Sequence, residues 1–328
     1  MDDSAPPPPT PTEMSKLAQA ASERIGGHIR ETPLDFSRAF SDRLGLKVWF
    51  KLENLQYTGS FKLRGATNRI LTLDPARRAA GVVAASSGNH GAAVAYAMQA
   101  LGVDGVVFVP EQTASTKVDA IRAYGGDVRF FGTDGLDTEL HAREYAKEHG
   151  MFYLSPYNDT EVVAGQGSCG VEIARQLGDV DAVLVAIGGG GLIGGIGSVL
   201  KAHGGIEIIG CQPENSPVMT RSVDAGHIID MPSLPTLSDG TAGGIEQGAI
   251  TFDICREVID RFVVVQENDI AAAMRRYMDA EHQLIEGAAG VAIAGLEAVA
   301  DSLAGKNVVV VICGANISRD KLRKVICE

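Results

Sequence analysis

The sequence predicts an α/β protein of two lobes, with mostly parallel sheets flanked by helices, and three observations lead there. Short β-branched runs alternate with longer helical patterns along nearly the whole chain of 328 residues, as strand–crossover–strand units require. The runs are apolar along their length rather than at every second residue, as parallel strands covered on both faces are. The hydrophobic content of 45% is that of a globular protein with a substantial core, enough for one large domain or two ordinary ones.

Taken in chain order, Ser4 to Thr12 is mostly proline with no apolar residue longer than Ala, so residues 1–14 read as an extended, disordered tail. Residues 48–52 form a strand, after which Thr58-Gly59-Ser60 offers turn and N-cap chemistry to a helix beginning beside Lys62. Further strands are expected at 82–85, 105–109, 127–131, 182–187, 206–211, 261–265 and 307–312, each apolar enough for burial on both faces. Helical patterns occupy 92–100, 116–124, 137–149, 164–177, 192–202, 269–282 and 289–303. The compact run over 82–156 reads as a small lobe inserted into a larger one built from 15–81 and 157–328.

Composition narrows the partners. Asp and Glu number 41 against 29 Lys and Arg, a formal charge of -12, which argues against general affinity for nucleic acid or anionic lipid. The start lacks the apolar core of a signal peptide and no apolar run is long enough to span a bilayer, so a cytoplasmic location is expected. Cys169, Cys211, Cys255, Cys313 and Cys327 include no CxxC pair, which fits a reducing compartment and suggests neither a zinc ribbon nor a redox motif. A small molecule is the expected partner.

Four motifs carry chemistry. Lys62, in Gly59-Ser60-Phe61-Lys62-Leu63-Arg64-Gly65-Ala66, places a cation in the first turn of a helix, where the macrodipole disfavours it. An ordinary solvated lysine is the plain alternative; a desolvated amine acting as a nucleophile would explain the position. Gly188-Gly189-Gly190-Gly191-Leu192 follows a buried strand and opens a helix, a natural phosphate cradle. Its glycines at 189, 191 and 194 also match G-x-G-x-x-G, with Glu214 about the right distance on, which keeps a nicotinamide-dependent oxidoreductase open. Ser86-Ser87-Gly88-Asn89-His90-Gly91 likewise joins a strand to a helix and suits a carboxylate, or is an N-cap cluster. Ile312-Cys313-Gly314-Ala315-Asn316 ends the last strand at the edge where α/β sheets collect ligands, although Cys313 alone is more often a small buried hydrophobe.

Together with Ala164-Gly165-Gln166-Gly167, Asp239-Gly240 and Glu286-Gly287, these motifs resemble, in order and from about Ile29 to Cys313, the fold-type II pyridoxal-phosphate enzymes. Within that tryptophan synthase β-like fold they resemble the serine/threonine dehydratase and serine racemase group. The resemblance implies pyridoxal 5'-phosphate as cofactor, a Schiff base at Lys62 and Phe61 stacked behind the ring. It implies that Asn89 bonds the ring hydroxyl and that Gly188, Gly189, Gly190, Gly191 and Leu192 hold the phosphate. Gly240 and Glu286 would line the ring pocket, and Cys313 would face the pyridine nitrogen. Ser86, Asn89 and His90 would grip the substrate carboxylate, and a homodimer is expected.

The implied reaction is elimination of the β-hydroxyl of an amino acid such as L-threonine or L-serine, giving a 2-oxo acid and ammonia: a dehydratase, or ammonia-lyase, of amino acid catabolism. Lys62 would take the α-proton, and a weak thiol donor at Cys313 would leave the electron sink moderate. Ser87 is the argument for a racemase, because the matching serine of racemases reaches the opposite cofactor face. Two departures oppose it. Tyr157 stands where racemases place a small polar residue, and Gln212 and Val218 replace the acidic ligands of a racemase-type cation, so no metal is expected. Serine, threonine, 3-hydroxyaspartate or another specialised β-hydroxy amino acid remain open as substrates. A catalytically silent ligand-binding or scaffold protein on the same fold is the remaining alternative. The chain ends soon after Asn316, so the appended regulatory domain of biosynthetic threonine dehydratases, and isoleucine feedback, are not expected.

Overall fold

Residues 7–327 are described by a computed structural model. Ten strands are found among them: β1 (Leu34–Ser37), β2 (Lys47–Lys51), β3 (Val82–Ala85), β4 (Gly105–Val109), β5 (Asp127–Phe130), β6 (Phe152–Tyr153), β7 (Ala182–Ala186), β8 (Glu207–Pro213), β9 (Arg261–Val265) and β10 (Asn307–Val311). They form a six-stranded sheet in the order β1-β2-β10-β7-β8-β9 and a four-stranded sheet in the order β5-β4-β3-β6. Every pairing is parallel except β1 with β2.

The central strands bear out their composition: β7 and β10 are buried at every residue, because helices cover both faces of an all-parallel sheet. The helix Gly287–Val299 packs on β7, β8, β9 and β10, while Pro11–Ile25, Thr160–Gln176 and Gly191–His203 pack on one another. Two strands depart from the expected burial. β5 and β9 are edge strands with exposed residues, since an edge strand is covered by its sheet on one side only. β1 and β6, four and two residues long, were too short to leave a periodic signal.

The expected tail needs a larger correction. Its residues 1–6 lie outside those described, but the chain is helical from Pro11 to Ile25. Thr10 Oγ1 accepts from the Glu13 N–H while Glu13 Oε2 accepts from the Thr10 N–H, a capping box with proline at the first helical position. Met14 is fully buried. Proline here starts a helix, whereas its abundance had read as extended chain.

Parallel sheets have a practical consequence: every loop after a strand opens on the same edge. The Gly188 loop after β7, Gln212 at the end of β8, Cys313 after β10 and the segment from Leu52 after β2 therefore share one edge of the large sheet. Ser86 to Gly88 after β3 and Pro156 after β6 share that edge of the small one.

Candidate functional site

The two carboxyl edges meet around Lys62, the first residue of the helix Lys62–Thr72. Its Nζ donates to Pro156 O at 2.9 Å, across from one sheet's loops to the other's. The side chain is half-buried. Desolvation pushes the amine down to about 8, against the opposite pull of Glu286 and Cys313. Phe61 lies beneath it, with the amine 5.2 Å from the ring centroid, and the Phe61 N–H donates to Cys313 O at 3.1 Å.

The expected Ser60 cap is not formed. The N-cap is Phe61, with no side-chain cap bond, and Ser60 instead bridges to Gly314 in a short antiparallel contact. Its hydroxyl, like that of Thr58, is buried without a partner among the described residues. The helix Asn89–Leu101 is also uncapped by any side chain, and its N-cap is Gly88. The reading of residues 86–91 as an ordinary capping cluster therefore fails. Ser86 Oγ accepts from the Gly88 N–H at 3.2 Å, and Ser87 is half-buried beside it.

Asn89 is held in place on both sides. Its amide donates to both oxygens of Glu286, at 3.0 and 2.9 Å, and its carbonyl accepts from Asn316 Nδ2 at 2.7 Å. The Cys313 thiol points to Glu286 Oε1 at 3.8 Å. Burial raises Cys313 well above the usual thiol range, so it stays protonated and is only a weak donor. Gly240 lies on the same side: a Cβ built there would come within 3.6 Å of Glu286 Oε1.

Glu286 is pushed up to about 7, chiefly by burial, while its bonds to Asn89 and Cys313 act in the opposite sense. Between its ordinary value of 4.5 and about 7 the folded chain keeps a proton that the unfolded chain has released. Stability from this group is therefore complete below pH 4.5 and is lost as pH rises through that window. Glu286→Gln is expected to remove the slope and to stabilise the cofactor-free protein at pH 8 by roughly 1–3 kcal/mol. Denaturant unfolding at pH 5 and pH 8 checks it; a variant with the wild-type slope would show that another group titrates.

The glycine loop faces this cluster. Gly190 has φ of +86° and serves as N-cap of the helix Gly191–His203 without any side-chain cap. A Cβ there would also fall 2.7 Å from Cys255 Sγ, so glycine is required twice over. The first helical bond runs from the Gly194 N–H to Gly190 O at 2.8 Å; the amides of Gly191, Leu192 and Ile193 precede it and point out of the helix end. Gly188 approaches Thr241, where a Cβ would be 3.0 Å from its Cα. Tyr157 lies against Gly189, where a Cβ would come within 2.4 Å of its ring, and its hydroxyl accepts from the Glu246 N–H at 2.9 Å.

His90 differs from expectation. Its Nε2 bonds Leu154 O at 2.9 Å, and burial, with Lys62 nearby, holds it down to about 3. A carbonyl can only accept, so Nε2 carries the proton and Nδ1 is a bare lone pair that cannot donate to a carboxylate. What His90 offers an anion is its main-chain N–H in the first helical turn. Two participants were missed. Asn316, which also donates to Thr58 O at 2.9 Å, stood in the last motif but was given no role. Glu246, bonded to Asn158 Nδ2 at 2.9 Å and Arg143 at 3.1 Å, lies in a loop with no periodic or motif signal.

Residues 25–314 match the sequence family described as pyridoxal-phosphate dependent enzyme. An L-threonine ammonia-lyase of Geobacter sulfurreducens is 40% identical over 304 residues, covering 92% of this chain and 75% of that protein. The structure is similar to the processed form of threonine deaminase isoform 2 from Solanum lycopersicum, with a TM-score of 0.92 and 35% identity over 98% of this chain and 94% of that one. It is also similar to maize serine racemase, with a TM-score of 0.89 and 29% identity over 95% of this chain and 96% of that one.

Proposed function

The chain belongs to the pyridoxal-phosphate-dependent enzyme family, and we propose that it eliminates the β-hydroxyl of L-threonine or L-serine to give a 2-oxo acid and ammonia. It is a pyridoxal-phosphate-dependent lyase of fold type II, in the serine/threonine dehydratase and racemase group. The residues fit the cofactor: an uncapped helix end behind four glycines suits a phosphate, and a desolvated lysine beside it suits a carbonyl carbon. When bound, the cofactor supplies a conjugated sink for the electron pair left at the α-carbon.

The single observation carrying the proposal is the Lys62 amine, held between the two sheet edges with its proton affinity lowered by burial. That amine takes the α-proton from a substrate whose carboxylate rests on the uncapped amides of the helix beginning at Asn89. Asn89, fixed by Glu286 and Asn316, would present its side chain to the cofactor ring. Phe61 would back the ring and Gly240 and Glu286 would line it, while the Cys313 thiol, kept protonated by burial, would offer its nitrogen only a weak donor in exchange for Glu286. A weakly held nitrogen would moderate the sink and favour prompt loss of the β-leaving group. Tyr157, pinned through its hydroxyl, closes the space over Gly189.

The nicotinamide reading is replaced. Gly194, the third glycine of that pattern, is explained by packing, since a Cβ there would fall 3.1 Å from Ile254 Cγ2, and Glu214 is exposed with its N–H on Val265 O. Two lobes, 15–81 with 157–328 and 82–156, are proposed from the confinement of the small sheet to β3 through β6. A homodimer is likewise proposed. No helix among the described residues is long and apolar enough to cross a membrane.

Ammonia and 2-oxo acid release, assayed over L-threonine, L-serine and 3-hydroxyaspartate, tests the reading. D-serine formed faster than pyruvate would reverse it in favour of racemisation. Ser87 makes the racemase alternative separable. Ser87→Ala is expected to cut any D-serine formation by roughly 10²–10⁴-fold, the contribution of a proton-transfer group, while changing ammonia release less than about tenfold. Equal losses in both products would place Ser87 on the substrate rather than on the opposite face.

A further inference from the structure

Gln212, the penultimate residue of β8, has its side chain inside the protein, 1% exposed, and every hydrogen-bonding position of its amide is used. Nε2 donates to Ile187 O at 3.2 Å and to Ser216 O at 3.4 Å. Oε1 accepts from the Thr220 N–H and hydroxyl, both at 2.8 Å. These partners belong to three separate segments. Ile187 immediately precedes Gly188, Thr220 lies in the first turn of the helix Val218–Ala225, and Ser216 occupies the turn between. Ser216 continues the connection, because its hydroxyl bonds that of Ser233 at 2.8 Å and accepts from the Gly243 N–H at 3.3 Å. That segment contains Thr241, on which Gly188 rests.

Two carbonyl oxygens thus converge on one interior point behind the glycine loop. A divalent cation could occupy such a point if anionic ligands accompanied it, but the Gln212 side chain is neutral and that of the buried Val218 has no oxygen. The amide satisfies both carbonyls by donation and the Thr220 N–H by acceptance, which a cation alone could not do. We propose that Gln212 is a positioning residue that fixes the phosphate-binding glycine loop through Ile187, taking by an internal amide the place of an anchoring cation. Cofactor binding is then independent of divalent metal. This rests on the proposed binding of pyridoxal phosphate at Gly188–Gly191.

The test measures pyridoxal phosphate affinity of the apoenzyme by fluorescence or absorbance titration, with EDTA and with millimolar Mg²⁺ or Ca²⁺. Wild-type affinity is expected to be the same in all three. Gln212→Glu leaves two buried carbonyls facing a carboxylate and should weaken affinity about tenfold or more in EDTA. Added cation, bridging carboxylate and carbonyls, should restore it. Gln212→Met, of similar shape but without a ligand, should weaken affinity without being rescued. Wild-type affinity that falls in EDTA, wild-type affinity in both variants, or rescue of Gln212→Met would each overturn the proposal. The wild-type titration decides even where a variant does not fold. A wild-type protein that takes up no pyridoxal phosphate at all would overturn the functional reading instead.

Discussion

Lys62→Ala is expected to abolish borohydride-fixed labelling by pyridoxal phosphate and to lower ammonia release by at least roughly 10²–10⁴-fold, the loss of the proton-transfer group alone. The covalent attachment is lost besides, so the true fall should be larger. Lys51, the nearest lysine in the chain among the described residues, cannot substitute. Lys51 is fully buried, but its Nζ is committed to Glu172 Oε2 at 2.5 Å, Thr32 O at 2.7 Å and Gln176 Oε1 at 3.0 Å. Lys62→Arg should fail equally, because guanidinium keeps its proton at any working pH. Peptide mapping of the labelled enzyme checks this; a label retained in Lys62→Ala would assign the chemistry to another amine.

The lowered proton affinity adds a pH test. Only the neutral amine attacks a carbonyl, so with Lys62 near 8 the rate of cofactor capture by apoenzyme should climb about tenfold per pH unit below that value and level off above it. Between 8 and the ordinary 10.5 the unfolded chain holds the extra proton. Stability from this group is complete above 10.5 and is lost as pH falls through 8. An inflection near 10.5 in the capture rate would mean that the amine is solvated.

How much could be read from the chain depended on whether the deciding interaction was local. The four-glycine loop announced itself because no structural element tolerates that backbone entropy in its interior, and the uncapped helix behind it was legible for the same reason. β7 and β10 were readable because burial on both faces leaves unbroken apolar runs. β5 and β9 were misjudged because edge position is a property of the assembled sheet, unseen in Asp127–Phe130 or Arg261–Val265 alone. The commitment of the His90 ring was illegible for a similar reason: Leu154, whose carbonyl accepts from the ring N–H, is 64 residues away. The tail was misjudged although its signal was local, since Thr10-Pro11-Thr12-Glu13 is a capping box and proline count outweighed it.

A buried charge network without any sequence signature lies beside the Lys62 helix, and it sets the second major prediction. Arg64 is fully buried and spends its guanidinium on two carboxylates: Nε and Nη2 donate to Glu53 at 2.7 Å each, Nη1 and Nη2 to Glu172 at 2.6 and 2.8 Å. Nη1 also reaches Ser168 Oγ at 3.0 Å. Although burial alone would raise it, Glu53 is held below the usual carboxylate range by Arg64. With Lys51 on Glu172, two cations and two anions balance in the interior. Glu172→Ala breaks that balance, leaving Arg64 and Lys51 to share one carboxylate. The expected cost is about 3–5 kcal/mol, read as a lower denaturant midpoint at unchanged slope. Removing Lys51 and Glu172 together, as Lys51→Met with Glu172→Leu, should cost much less than Glu172→Ala, because Arg64 then keeps Glu53 and no cation is left unpaired. If Glu172→Ala cost under about 1 kcal/mol, water would have to reach the network and the charges would behave as a surface pair. Arg64 stands two residues beyond Lys62 on the same helix, which packs on Thr160–Gln176, the helix carrying Glu172. The folded fraction of Glu172→Ala should therefore also hold pyridoxal phosphate less tightly, since the turn that aims the Lys62 amine at Pro156 loses the tie from Arg64 to Glu172 on that helix.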